Sequence, residues 1–226
     1  MYIEHAIILA AGLGTRLKWL TKHQPKAMMK IQDEPSIIHV IQHLSRQGIR
    51  HIVINVHHHA QQLMELLGHG EHLGIRIDFS HEKHLLDSGG GVRTAMQYLP
   101  KNVPFIVHNA DIITDIDIQS LSSLTAHHTC ALAVVNNPNH HPEGDFSCHH
   151  HQISLTGQPR YTFSGVSLWY PEILQAFPCN TPFSLVDVIH KQIKQQSCEG
   201  FIHRGQWFDI GRPRDLMRAN QHWRAS

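Results

Sequence analysis

A run of small and basic residues near the start of the chain has the composition of an anion-binding loop. Small side chains let backbone N–H groups approach a ligand closely, while arginine and lysine add fixed positive charge. The combination suits a triphosphate. The residues expected to contact it are Leu9, Ala10, Ala11, Gly12, Gly14, Thr15, Arg16 and Lys26.

Two better-known phosphate loops are excluded by the same stretch. A dinucleotide-binding loop requires a third glycine where this chain has Leu17, and a P-loop requires Gly-Lys-Ser/Thr after its last glycine. Taken alone, Gly12 and Gly14 also fit a tight turn that follows a strand. Arg16 and Pro25-Lys26 at this spacing favour the ligand-binding interpretation.

Two aspartates have the surroundings of metal ligands. Asp111 ends the apolar segment 103–111, and ligands of open parallel sheets bind at such carboxyl ends. Asp209 lies in the apolar stretch 205–211, where a carboxylate is costly unless it is paired or metal-bound. Magnesium is held by one or two carboxylates plus substrate phosphate oxygens. Singly, Asp111 also fits a strand-end turn, and Asp209 a helix N-cap or a salt-bridge partner.

A second small-residue cluster, Asp87-Ser88-Gly89-Gly90-Gly91, precedes a helical pattern. Glycines before a helix permit close backbone contact with a flat base or a sugar ring, and the helix N-terminus favours anions. The alternative is a flexible helix start, although three glycines are costly in chain entropy for that purpose. The cluster is therefore a second candidate for ligand contact.

Alternating strand and helix patterns in the first half predict a parallel sheet covered by helices on both faces. Strands are expected at 6–9, 51–56, 75–79 and 103–108, and helices at 35–44, 60–67 and 92–99. The pattern changes from residue 130. An apolar segment at 131–135 precedes two segments expected to be antiparallel, at 145–155 and 160–170. Helices are then expected at 171–176 and 182–195, strands at 199–203 and 206–210, and a closing helix from Pro213.

Composition limits the class of protein further. A chain of 226 residues is long enough for one large α/β domain, and we expect a single domain over 1–226. The net charge of +1 argues against nucleic acid as a partner. No apolar stretch approaches the roughly 20 residues of a membrane helix. The N-terminus lacks a basic signal region, so we expect a cytoplasmic protein.

The motif Leu-Ala-Ala-Gly-x-Gly-Thr-Arg followed by Pro-Lys resembles the sugar-phosphate nucleotidyltransferases. The resemblance implies a Rossmann-like, mostly parallel sheet flanked by helices, GT-A-like, with a smaller antiparallel sugar-binding lobe. Residues 1–129 would form mainly the nucleotide half and 130–226 the sugar half. It also implies that Arg16 and Lys26 neutralise the phosphates, that Asp111 and Asp209 hold Mg²⁺, and that Gly89, Gly90 and Asn109 contact the nucleotide.

Three further segments resemble one subgroup, the N-acetylmuramate α-1-phosphate uridylyltransferases of peptidoglycan recycling. They are residues 86–91 (Leu-Glu-Thr-Gly-Gly-Gly in the subgroup), 137–146 (Asn-Pro-x-His-His-x-x-Gly-Asp-Phe) and 163–167 (Phe-Ser-Gly-Ile-Ser). The likeness implies transfer of UMP from UTP to N-acetylmuramic acid α-1-phosphate by a monomer or homodimer. The implied sugar-binding residues are Asp87, Asn109, Asp145, Ser164 and Gly165.

Other outcomes stay open at this point. Close relatives use mannose or glucose 1-phosphate with GTP or dTTP, and a nucleotide-sugar sensor without turnover would keep the same pocket. The chain also departs from the family at Trp19 and Ala27, where proline is usual, at Ala110, where glycine is usual, and at Arg212, where threonine is usual. Arg212 is either a phosphate contact or a surface residue. None of the four removes a charge that the chemistry requires.

Overall fold

The computed structural model describes residues 2–124 and 129–224, apart from the side chains of residues 18 and 19, so the departure at Trp19 lies outside it. The strands in chain order are β1 (His5–Leu9), β2 (Lys30–Ile31), β3 (Glu34–Pro35), β4 (His51–Val56), β5 (Arg76–His81), β6 (Phe105–Asn109), β7 (Ile112–Thr114), β8 (Cys130–Val135), β9 (Phe146–His149), β10 (Gln152–Ser154), β11 (Arg160–Trp169), β12 (Cys198–His203) and β13 (Trp207–Asp209). The helices are α1 (Ser36–Arg46), α2 (Ala60–Leu67), α3 (Asp87–Ala95), α4 (Ile118–Leu124), α5 (Pro171–Gln175), α6 (Leu185–Lys194) and α7 (Pro213–His222).

Nine of these strands form one sheet in the order β5-β4-β1-β6-β11-β8-β12-β10-β9. The first four are parallel, as their apolar runs predict, and every residue of β4 is buried. Leu9 pairs in register with Asn55 on one side and Asn109 on the other. The carboxyl ends of three neighbouring strands therefore lie at one level, and the segments that follow them share one edge of the sheet.

The second half of the chain continues the same sheet. Strand β11 is antiparallel to both β6 and β8, β12 returns parallel to β8, and β9 and β10 complete the antiparallel part. The α/β class with a flanked, mixed sheet is thus confirmed. Residues 145–155, expected as one segment, form a hairpin instead, because His150 and His151 turn the chain at positive φ.

Apolar residues of the strands fill a core on each face of the sheet. In β1, Ile7 belongs to the same buried cluster as Val92 of α3, and Ile8 belongs to the other cluster, which contains Ile41 of α1. Both isoleucines are fully buried. Burial of such a side chain contributes about 1.5–3 kcal/mol, so the alternation fixes β1 between two helical layers.

Three local expectations need correction. The glycines 89–91 lie inside α3, which begins at Asp87, and do not precede the helix. Helix α4 was missed because its sequence mixes serine and glutamine with only two buried positions. The second of the late helices begins at Leu185, where the side chain of Ser184 accepts a hydrogen bond from the N–H of Val186. Within the described residues, no helix has both the length and the apolar character needed to cross a bilayer.

Candidate active site

A cavity of about 350 Å³, called here the main cavity, opens at the carboxyl edge of β1, β4 and β6. Its walls come from the loop after β1, the segment after β5 and the residues that follow β6. The sequence-predicted residues that line it are Leu9, Ala10, Ala11, Gly12, Gly14, Thr15, Arg16, Lys26, Asp87, Asn109 and Asp111. Residues far apart in sequence thus meet where the parallel-sheet pattern predicts.

The loop after β1 is closed onto Lys26 by Gly14. Gly14 has φ +63°, and a Cβ there would lie 2.9 Å from Cγ2 of Thr21 and 3.2 Å from Cβ of Lys26. Its carbonyl accepts hydrogen bonds from the hydroxyl of Thr21 and the N–H of Leu17. A side chain at this position would separate the loop from Lys26, so glycine is required for both conformation and space.

The N–H groups of Ala10 and Ala11 do not point into the main cavity as free donors. Both donate to Oδ1 of Asn55, at 2.7 and 3.3 Å. Their N–H groups thus already have a protein acceptor, and contact of Ala10 and Ala11 with the nucleotide stays a prediction. Their small side chains still line the cavity.

Glu82, which sequence reasoning missed, fixes Asn55 in this role. Its Oε1 accepts from Nδ2 of Asn55 at 2.6 Å, and its Oε2 accepts from the N–H of Leu86 at 3.0 Å. Burial raises the pKa of the Glu82 carboxyl, while these two hydrogen bonds lower it in part. The signal in the sequence was an acid placed shortly after a predicted strand, at the same edge of the sheet as Asp111.

The glycines of α3 have a different role from the one expected. The N–H groups of Gly89 and Gly90 both donate to the carbonyl of Phe183, at 2.9 and 3.1 Å, and neither glycine lines the main cavity. A Cβ on Gly91 would lie 2.5 Å from Nδ2 of Asn55. These glycines let α3 approach the neighbouring backbone and the Asn55–Glu82 pair, so direct nucleotide contact by Gly89 and Gly90 has no geometric support.

The two aspartates are brought together by the two-stranded ribbon of β7 and β13. Asp209 pairs with Ile112 in that ribbon, and the N–H of Ile210 donates to the carbonyl of Asp111 at 2.9 Å. Burial and then the charge of Asp111 raise the pKa of Asp209, whereas Lys26 lowers it. Two repelling carboxylates therefore share one site.

Both cations predicted for phosphate binding lie beside this pair. Lys26 forms an ion pair with Asp111 through Nζ and Oδ2. A Cβ on Gly211 would lie 2.8 Å from Oδ1 of Asp209, 3.2 Å from Nζ of Lys26 and 3.4 Å from the guanidinium of Arg16. Hence Gly211 leaves space at which Asp209 and both cations converge, and Asp111 joins them through Lys26.

No group of three or more His, Cys, Asp or Glu side chains suited to a metal occurs in the described part of the chain. A pair of hard carboxylate oxygens does fit magnesium, which completes its shell with water and substrate phosphates. Burial and then the charge of Asp111 raise the pKa of Asp209, and a cation between the two carboxylates would favour their ionised forms.

A second space of about 340 Å³, called here the side cavity, adjoins the main cavity and shares Arg16, Asn109 and Asp111 with it. Among the residues predicted to bind sugar, Asn109, Asp145 and Gly165 line the side cavity. A Cβ on Gly165, which has φ +81°, would lie 2.8 Å from Nδ2 of Asn109. The glycine therefore gives the asparagine side chain its room.

Asp87 and Ser164 lie elsewhere. Asp87 lines the main cavity and not the side cavity. Ser164 is fully buried, and its carbonyl accepts a hydrogen bond of 2.9 Å from Nε1 of Trp207. Trp207 itself lines the side cavity. Ser164 therefore holds the Trp207 side chain and does not itself line the side cavity, and its contact with the sugar stays a prediction.

The family of the chain follows from comparison with known proteins. Residues 5–146 match the family model described as Nucleotidyl transferase. The chain belongs to the nucleotidyl transferase family. The family and the enzyme class that the loop motif implied are both confirmed, and the cavity between the loop and the acid pair is the candidate active site of a nucleotidyltransferase.

Relatives in this family differ in what their names specify. The chain is 35% identical to the N-acetylmuramate alpha-1-phosphate uridylyltransferase of Neisseria meningitidis, over 91% of this chain and 92% of the relative. It is 27% identical to the mannose-1-phosphate guanylyltransferase catalytic subunit beta of Xenopus tropicalis, covering 94% of this chain but only 62% of the relative.

A solved structure shares the fold at lower identity. It comes from a Bacillus anthracis protein described as a glucose-1-phosphate thymidylyltransferase, in complex with sucrose. The TM-score is 0.83 at 20% identity, with 97% of this chain and 94% of the other chain covered. This likeness shows that the α/β architecture is that of a nucleotidyltransferase.

Proposed function

We propose that this nucleotidyltransferase transfers UMP from UTP to a sugar 1-phosphate, N-acetylmuramic acid α-1-phosphate, and releases pyrophosphate. A phosphate oxygen of the sugar attacks the α-phosphorus of UTP, and the bond from that phosphorus to the bridging oxygen of the β-phosphate breaks. The observation that carries the proposal is the convergence of two acids and two cations. Asp209, Arg16 and Lys26 surround Gly211, Lys26 pairs with Asp111, and Arg16 and Asp111 border both cavities.

The attacking group needs no general base. A phosphate monoester is already largely ionised at neutral pH, so the barrier lies in bringing two anions together. Arg16 borders both cavities and can bridge the two phosphate-bearing substrates, while Lys26 offsets charge at the loop. The remaining work is alignment, which Asn109 assists because it also borders both cavities.

Magnesium would be held by Asp111 and Asp209, whose oxygens fit that ion. When bound, it would offset charge on the phosphates and help to align them. Lys26, now paired with Asp111, would then be free to turn toward the triphosphate, because the metal offsets the carboxylate charge in its place.

The proposal of UTP and N-acetylmuramic acid α-1-phosphate as substrates is supported by sequence similarity to a relative. The chain is more similar to the uridylyltransferase from Neisseria than to the mannose-1-phosphate guanylyltransferase from Xenopus, by 35% against 27% identity. Segments 137–146 and 163–167, which carry the subgroup motifs, supply Asp145 and Gly165 to the side cavity. This substrate would place the enzyme in peptidoglycan recycling in the bacterial cytoplasm, acting as a single domain in a monomer or homodimer.

The test is a substrate matrix with pyrophosphate release as the readout. UTP, GTP, dTTP and ATP are each combined with the 1-phosphates of N-acetylmuramate, N-acetylglucosamine, mannose and glucose, with magnesium present. The proposal expects the highest kcat/KM for UTP with N-acetylmuramate 1-phosphate. A preference for GTP with mannose 1-phosphate would favour the guanylyltransferase, and binding without turnover in every combination would favour a sensor.

A further inference from the structure

Arg212 is a charged residue of the side cavity that the proposed reaction does not use. It follows Gly211 directly and precedes α7, with an extended backbone at φ −133°. It lines the side cavity and also a groove of about 590 Å³ along α7. Its half-buried side chain therefore lies at the boundary between the two spaces.

Within the described residues, no hydrogen bond or ion pair engages the guanidinium of Arg212. Four acids share a cavity with Arg212, and each already has a partner. Asp111 pairs with Lys26, and Asp209 accepts a hydrogen bond of 2.8 Å from the N–H of Gly211. Asp215 faces Nδ1 of His140 at 4.0 Å. Asp145 accepts from the N–H of Phe163 at 2.7 Å through Oδ2, while its Oδ1 lies 3.0 Å from Nε2 of His141. The permanently charged guanidinium of Arg212 thus borders a ligand-sized cavity without an ion pair of its own among the described residues.

We propose that Arg212 binds a carboxylate on the sugar ring of the substrate and so selects sugar 1-phosphates that carry this second anion. The inference rests on the proposed function. It deepens that function by naming a residue for the part of N-acetylmuramate that distinguishes it from N-acetylglucosamine, its lactyl carboxylate. Guanidinium and carboxylate match in a bidentate geometry, which gives both affinity and orientation.

The position of Arg212 indicates that it contacts a different part of the sugar from the 1-phosphate. The phosphate must lie near Asp111 and Arg16, which border both cavities. The groove along α7 is lined by neither of them, whereas Arg212 and His140 line both the groove and the side cavity. Arg212 therefore borders the part of the side cavity that opens away from the reacting phosphates.

The surrounding charge favours an anion at this end. Arg214 and Arg218 also line the groove, and Asp215 is its only acid. These arginines are exposed and raise the positive potential without bordering the side cavity. A carboxylate on the sugar would thus meet Arg212 in a partly desolvated position, with two further cations behind it.

The experiment compares two sugars that differ only in the lactyl group. Values of kcat/KM with UTP are measured for N-acetylmuramate 1-phosphate and N-acetylglucosamine 1-phosphate in wild type, Arg212→Thr and Arg212→Lys. Threonine is the usual residue of the family here, so folding should be preserved. Arg214→Thr is the matched control, because it removes the same charge from the groove but not from the side cavity.

We expect Arg212→Thr to reduce the preference for the muramate substrate by roughly tenfold or more, mainly through KM, because a charge-assisted bidentate contact is lost. Arg212→Lys should recover part of it, and Arg214→Thr should leave most of it. Equal losses on both sugars would overturn the inference, since they would assign Arg212 to the shared phosphate. An unchanged preference would also overturn it.

Equilibrium binding of both sugar phosphates to the same variants keeps the test independent of turnover. Glucuronic acid 1-phosphate and glucose 1-phosphate form a second pair that differs in a carboxylate. If wild type turns over neither member of either pair, the proposed function fails, whereas the binding comparison still decides whether Arg212 recognises the carboxylate. Binding that ignores the carboxylate in wild type would contradict the inference.

Discussion

Two glycine-rich stretches, residues 12–14 and 89–91, share a composition and differ in what lies opposite them. A Cβ on Gly12 would meet nothing within 4 Å, in a loop that borders the main cavity. A Cβ on Gly90 would lie 2.3 Å from the carbonyl oxygen of Thr181, and one on Gly89 would lie 2.4 Å from the ring of Phe183. Gly12 therefore leaves space for a ligand, whereas Gly89 and Gly90 leave space for neighbouring parts of the protein, as Gly14 does for Thr21.

The difference matters because the second stretch supports the first. Gly91 makes room for the Asn55–Glu82 pair, and Asn55 in turn holds the N–H groups of Ala10 and Ala11. Close packing of α3 thereby fixes the first residues of the loop after β1. We therefore expect an added side chain at Gly90 to lower the stability of the fold, and one at Gly12 to weaken substrate binding.

Gly90→Ala should have the largest effect on folding. Inside a helix, alanine alone would gain about 1 kcal/mol over glycine. The clash with the Thr181 carbonyl is with backbone, which cannot rotate away, so we expect a net loss of about 3 kcal/mol in the free energy of unfolding. Urea denaturation measures it. Wild-type stability in this variant would mean that α3 and segment 181–183 are not in close contact.

Glu82→Gln should have an intermediate effect that links the two stretches. Glutamine can accept only one of the hydrogen bonds now donated by Asn55 and Leu86, so one buried donor loses its acceptor. Such a loss costs about 1–3 kcal/mol. We also expect a raised KM for UTP with little change for the sugar, because Asn55 holds the loop. Glu65→Gln, at an exposed position of α2, is the control.

An equal rise in both KM values for Glu82→Gln would mean that the pair supports the whole site and not the loop in particular. A normal KM for both substrates would show that the loop keeps its conformation without Glu82. Either result would contradict the structural coupling of α3 to the loop after β1 through Asn55 and Glu82.

Gly12→Ala should have the smallest effect on stability, within about 0.5 kcal/mol, because its side chain would enter open space. The same methyl group would face the main cavity. We expect KM for UTP to rise roughly threefold to tenfold, equivalent to about 1 kcal/mol of binding. Initial-rate kinetics at saturating sugar phosphate measure this, and an unchanged KM would place the triphosphate away from Gly12.

Much of the fold and part of the site could be predicted because the relevant signals are local. The apolar run of β4 marks a doubly covered strand, and the strand ends at Leu9 and Asn109 follow from similar runs. The positions of Arg16, Lys26 and Asp111 at one edge then follow from parallel topology. Asp209 was found through its apolar neighbourhood, although its partner strand β7 was not predicted.

The rest of the site could not be predicted, because it is formed by contacts between residues far apart in sequence. No residue close to Gly89 and Gly90 in sequence indicates that Phe183 will pack against them. Glycines that allow helix packing therefore cannot be distinguished by sequence from glycines of a ligand-binding loop. The role of Glu82 can be recognised only once the fold places Asn55 within hydrogen-bond distance of its carboxylate. Ser164 is similar, because its contact with Trp207 joins strands that are distant in sequence.

The acid pair is tested most directly by pyrophosphate release from Asp111→Asn and Asp209→Asn, with Asp33→Asn, an exposed acid, as the control. Thermal unfolding of the metal-free proteins is measured in parallel. Burial and Asp111 raise the pKa of Asp209, so a neutral amide there should not lower stability. We predict folded variants whose turnover falls roughly a thousandfold or more, equivalent to about 4 kcal/mol of transition-state stabilisation, while Asp33→Asn retains wild-type activity. Undiminished turnover in either folded variant would contradict the account.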